Sequence, residues 1–107
     1  MPLVVANATA QAGKPFTVRA QRNAGDFMLI ALNTFRIPAT PIAGFFGRLE
    51  IVPNPLVSGT ADGSGSLGVT LGNVPAAAVG LTVHFQALAV AGVENYLSSA
   101  VSVKVTS

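Results

Sequence analysis

A chain of 107 residues is the size of one domain, and its lack of cysteine excludes disulfide frameworks, thiolate metal sites and thiol nucleophiles. Half of its residues are hydrophobic and 9% are charged, against about 25% in an average globular protein, with a mean hydropathy of +0.59, which excludes intrinsic disorder. A net charge of +2, six Lys and Arg against four Asp and Glu, is too sparse for a nucleic-acid-binding stripe.

Period-2 patterning runs from the start. Leu3 to Thr9 reads as an edge strand, with Pro2 tolerated at its beginning, and residues 1–10 form an edge or exchanged strand. After the turn Ala12-Gly13-Lys14-Pro15, Phe16, Val18 and Ala20 alternate with Thr17, Arg19 and Gln21, the signature of a half-buried strand. Asn23-Ala24-Gly25-Asp26 makes the next turn. Phe27-Met28-Leu29-Ile30-Ala31-Leu32 is apolar on both faces and reads as a central strand covered on each side.

Residues 36–46, with two prolines and a glycine, read as a loop with anchoring aromatics Phe45 and Phe46. Arg48-Leu49-Glu50-Ile51-Val52 is a short strand stopped by Pro53-Asn54-Pro55. Ser58 to Ser66 is a polar turn around Asp62-Gly63, a favoured hairpin pair, and Leu67, Val69 and Leu71 alternate after it. Val74 to Gly80 forms one helical turn, with Pro75 near its start and Gly80 as its stop. Two strands close the chain, Leu81 to Val90 and roughly Leu97 to Thr106.

Short strands, turn signals every 8–12 residues and no amphipathic helix predict an all-β fold. The expected form is an immunoglobulin-like antiparallel β-sandwich of about seven strands, filling residues 1–107 as one domain. Several segments carry a family likeness. These are Gly13-Lys14-Pro15-Phe16, Gly47-Arg48-Leu49, Thr60-Ala61-Asp62-Gly63-Ser64-Gly65, Val74-Pro75, Gly80-Leu81, Phe85-Gln86-Ala87 and Leu97-Ser98-Ser99-Ala100-Val101. With them the chain resembles small immunoglobulin-like domains appended to large secreted and surface proteins of environmental bacteria. The resemblance implies a non-catalytic module at an extracellular or cell-surface location, and it carries no active-site residues.

Chemistry is thinly signalled. Gly63-Ser64-Gly65-Ser66-Leu67-Gly68 matches G-x-G-x-x-G, but a dinucleotide site needs a helix after the glycines, and here a period-2 strand follows. His84, the only histidine, shares a strand face with Thr82, Gln86 and Leu88 and has no G-x-S-x-G nucleophile to serve. Asp26, Glu50, Asp62 and Glu94 are too far apart in sequence to suggest calcium or paired-carboxylate hydrolysis, and Asp62 reads as a turn stabiliser. No enzyme, cofactor or metal site is therefore expected.

No apolar run approaches the roughly 20 residues that cross a bilayer, and the N-terminal residues lack a signal peptide's basic start. The apolar excess is the informative feature, because a monomeric sandwich presents polar outer faces to water. Phe27, Leu29, Phe45, Phe46, Leu88 and Val90 form the candidate self-association surface. The expected role is a structural protein acting through contacts with copies of itself or a protein scaffold: a subunit of a filament, shell or surface layer, or a displayed surface or virion decoration domain. The alternative is a carbohydrate-binding module using Tyr96, the one tyrosine in a chain without tryptophan.

Overall fold

The alternation of Phe16 to Gln21 builds a strand with a dry face and a wet one: Phe16, Val18 and Ala20 are buried, Thr17 and Arg19 exposed. The computed structural model describes residues 3–5, 9–72, 74–91 and 94–107. In chain order its strands begin with β1 (Leu3–Val5), β2 (Thr9–Gln11), β3 (Phe16–Gln21), β4 (Phe27–Asn33), β5 (Thr40–Pro41) and β6 (Phe45–Phe46). They continue with β7 (Arg48–Leu49), β8 (Asn54–Thr60), β9 (Ser66–Leu71), β10 (Thr82–Ala91), β11 (Glu94–Leu97) and β12 (Val101–Thr106). Among the described residues a single 3-10 turn, Ala76–Ala78, precedes Gly80, whose φ of 92° ends it as expected from the sequence.

Two sheets face each other. The smaller is antiparallel in the order β1-β3-β9. In the larger, β4 lies between β8 and β10; β11 pairs residues Leu88–Ala91 of β10, and β12 pairs residues Thr82–Phe85. The strands β2 and β6 add to β12 and β11 in parallel, and β5 and β7 form a separate two-stranded ribbon. Between the sheets sits one core cluster. Phe16 of the small sheet stacks on Phe85 of the large one, centroids 6.2 Å apart, and Val18, Met28, Ile30 and Val103 are almost wholly excluded from water. Burying each of these four is worth about 1.5–3 kcal/mol. The fold is all-β, and no helix among the described residues is long and apolar enough to cross a membrane.

Several sequence expectations need correction. The strands number twelve among the described residues rather than about seven, because short pairings and interruptions divide the longer runs. The closing segment is two strands, since Ser98-Ser99-Ala100 breaks the run and β11 starts earlier, at Glu94. Residues 1–10 divide between the sheets: β1 edges β3, whereas Thr9 belongs to β2 on β12; residues 1–2 and 6–8 lie outside the described residues.

The largest correction is β8. Pro53-Asn54-Pro55 does not merely stop a strand, because Asn54–Thr60 is itself a strand along β4. A doubly apolar β4 needs backbone partners on both edges, and Pro55 is tolerated because β8 is an edge strand with an irregularity opposite Ile30/Ala31. As a result Asp62-Gly63 is not a hairpin: β8 and β9 belong to different sheets, and the turn carries the chain from one to the other.

Candidate functional site

Register determines what the large sheet shows on its outer side. Inward go Met28, Ile30, Phe85, Ala87 and Ala89; outward go Phe27, Leu29 and Ala31 of β4 and His84, Gln86, Leu88 and Val90 of β10. Cross-strand partners fall into rows, Phe27 beside Val90 and Asn95, Leu29 beside Leu88 and Leu97, Ala31 beside Gln86. Towards the other end the face turns polar, where His84 Nδ1 and Ser102 Oγ are 2.7 Å apart next to Thr82 and Lys104. Burial first, and then the positive charge of Arg36, hold the His84 pKa below its ordinary 6.5.

The apolar half of this face is partly roofed by the chain itself. The segment from residue 34 to 53 crosses it, and Ile51, fully buried, lies outside the inter-sheet core against Leu29, Ala31, Leu88 and Gln86. Gln86 pins the roof. Its Nε2 donates to the carbonyls of Arg48 and Ser98, each at 2.7 Å, and its Oε1 accepts the N–H of Glu50 at 2.9 Å. Glu50 in turn takes the Ala100 N–H at 3.0 Å on one carboxylate oxygen and pairs with Arg36 through the other. Two apolar clefts remain beneath the roof, of about 260 Å³ beside Ile51 and about 170 Å³ between Ile42, Phe45, Leu49, Leu88 and Leu97.

The six residues singled out from the sequence therefore separate. Leu29, Leu88 and Phe45 are half-buried around the roof, while Phe27 and Val90 stay 45% and 36% exposed at its margin. Phe46 departs from the group: it pairs in register with Tyr96, whose neighbour Ala89 faces the core, and the two rings stack at 5.2 Å. It is nonetheless 59% exposed. Sequence reading missed the roof residues Ile42, Leu49, Ile51 and Gln86 as a unit. A partial signal was present, since Leu49 and Ile51 alternate with Arg48 and Glu50.

Tyr96 is engaged on its own ring and hydroxyl. The Arg22 guanidinium carbon lies 3.5 Å from the ring centroid, Phe46 stacks on it, and the hydroxyl donates to the Glu94 carboxylate, which raises the tyrosine pKa. The four carboxylates each serve a local partner: Asp26 lies 3.5 Å from Arg22, Glu50 meets Arg36, Glu94 meets Tyr96, and Asp62 closes its own turn. Among the described residues no three His, Cys, Asp or Glu side chains converge. A scan against protein-family models finds no match for this chain, and a search of curated proteins finds none.

Proposed function

We propose that this protein is a non-catalytic structural module of immunoglobulin type that works through protein–protein contacts. Its expected setting is a self-assembling fibre, shell or surface layer, or a displayed position on a cell or virion surface. The observation that carries the reading is the pair Phe27 and Val90, directly opposite each other on adjacent central strands and both exposed on the outer face. Central strands do not normally turn a phenylalanine–valine pair to water, and such patches mark contact sites. The immunoglobulin-type reading is supported by the strand order. An N-terminal segment split between the sheets flanks one three-stranded sheet and one built on β12-β10-β4-β8.

Size-exclusion chromatography with light scattering, over a concentration series and with negative-stain microscopy, tests this. The expected result is concentration-dependent assembly that Phe27→Ser with Val90→Ser shifts towards smaller species. A clean monomer at high concentration, with no ordered particles, overturns the reading. A sugar-binding reading finds little support, because platforms for sugar rings are open aromatic faces, whereas Tyr96 already holds a phenyl ring and a guanidinium.

A further inference from the structure

The free sheet edges differ in how well they are guarded against pairing. Exposed edges template the addition of further strands, and proteins blunt them with brevity, proline, charge or bulges. Among the described residues β1 and β2 are three residues long, β6 is two, and β8 carries Pro55 and a register irregularity. The edge strand β9 has none of these. It runs Ser66-Leu67-Gly68-Val69-Thr70-Leu71, uncharged and proline-free, in unbroken register with β3 from Leu71 opposite Phe16 to Ser66 opposite Gln21. At its start the outer edge is taken by Asp62, whose N–H donates to the Ser66 carbonyl and whose carboxylate accepts the Ser66 N–H, while Gly68 and Thr70 pair with no further strand among the described residues.

A second feature lies beside it. A cavity of about 400 Å³ opens between the sheets and is lined by apolar side chains, Leu71 of β9 and Leu56 of β8 among them. Side chains lining such an open apolar cleft lack contacts that a neighbouring side chain would restore. A backbone edge open at Gly68 and Thr70 and flanked by an apolar pocket is the arrangement that strand addition uses, with backbone hydrogen bonds for affinity and pockets for alternate side chains.

We infer that β9 of one copy pairs antiparallel with β9 of a second copy about a two-fold axis, joining the small sheets of two molecules into one. This rests on the self-association reading above and adds to the Phe27–Val90 patch a second contact, on the other sheet. The inward set Leu67, Val69 and Leu71 fixes the register, because opposed residues in a continuous sheet share a face. Setting Val69 opposite the partner's Val69 places the partner's Leu67 beside Leu71, next to the cavity, and leaves Gly68 facing the partner's Thr70 in solvent. Such a contact is isologous and closes on itself, so it makes a dimer. Arg19, the charged side chain that reaches over Gly68, does not meet its own copy: the two β3 strands are three strand spacings apart, about 14 Å, beyond the screening length of about 8 Å.

The chain's lack of cysteine makes the test clean. Val69→Cys, mildly oxidised at concentrations where the wild type assembles, is expected to give a covalent dimer, whereas Ser102→Cys on the other sheet is not. Thr70→Lys, on the exposed side of β9, is expected to raise the concentration needed for dimerisation by about tenfold with an unchanged circular dichroism spectrum. If the wild type assembles but Val69→Cys does not cross-link and Thr70→Lys leaves the size distribution unchanged, the β9 pairing is overturned while the contact reading stands. A wild type that stays monomeric throughout overturns the contact reading itself.

Discussion

Gln86 and Glu50, 36 positions apart, are joined by a hydrogen bond from the Glu50 backbone N–H to the Gln86 side-chain oxygen, 2.9 Å long. Gln86 is 2% exposed, on an otherwise apolar stretch of the outer face, and each of its polar side-chain atoms is used to hold the roof segment. Replacing it with alanine leaves one donor and two carbonyls of the backbone without this partner in a dry place. Gln86→Ala is expected to cost about 2–4 kcal/mol in urea unfolding and to raise hydrogen exchange first in residues 48–51. Uniform exchange throughout the sandwich would contradict a pinning role.

Ile51 supplies the apolar half of the same attachment. It is completely buried although it lies on a segment rich in loop residues, and it covers a strand face that would otherwise be wet. Ile51→Ala is expected to cost about 2–4 kcal/mol, whereas Val52→Ala, at a neighbour 48% exposed, should stay within about 0.5 kcal/mol. Equal losses at the two sites would show that the roof is not packed.

The turn between β8 and β9 depends on one glycine and not on its neighbour. Gly65 has φ of 81°, and a Cβ there would meet the Arg22 carbonyl oxygen at 2.4 Å; at Gly63 the backbone is ordinary and the space open. Gly65→Ala is expected to lose about 2 kcal/mol or more, and Gly63→Ala to change stability by less than about 0.5 kcal/mol. Thermal unfolding of the pair decides it. The same turn holds the Asp62 carboxyl below its ordinary 3.8, through the Ser64 hydroxyl first and then the N–H groups of Ser66 and Ser64. Asp62→Ala should therefore lower the melting temperature near neutral pH and lose its effect once the pH falls below the folded-state value.

His84 gives the fold a mild acid sensitivity of its own. Its folded-state pKa lies below 6.5, so the unfolded chain takes up the proton first as pH falls. This contribution to stability is complete above the unfolded value, declines as pH drops through 6.5 towards the folded-state pKa, and levels off beneath it. Melting temperatures between pH 8 and pH 5 should fall on acidification, less steeply in His84→Gln. A steeper fall in the variant would contradict the assignment.

The sequence alone determined the local facts: that the chain is all-β, that Phe16, Val18 and Ala20 face one way, and that residues 27–32 form a strand apolar on both faces. These are legible because a strand's two faces are written in its period of two. What it did not show is which surface does the covering. Residues 27–32 read as greasy enough to need a partner, and much of that partner proved to be Ile42, Phe45, Leu49 and Ile51 of the same chain. The strand β8 was hidden for a related reason, since prolines, serine and glycine form a strand there only because β4 offers an unfilled edge. Tertiary structure also separated Phe45 from its neighbour Phe46 and, of the six residues singled out, left Phe27, Phe46 and Val90 exposed. Periodicity is local and survives in the string of letters; coverage depends on contacts between segments far apart in sequence, and only the folded chain brings those together.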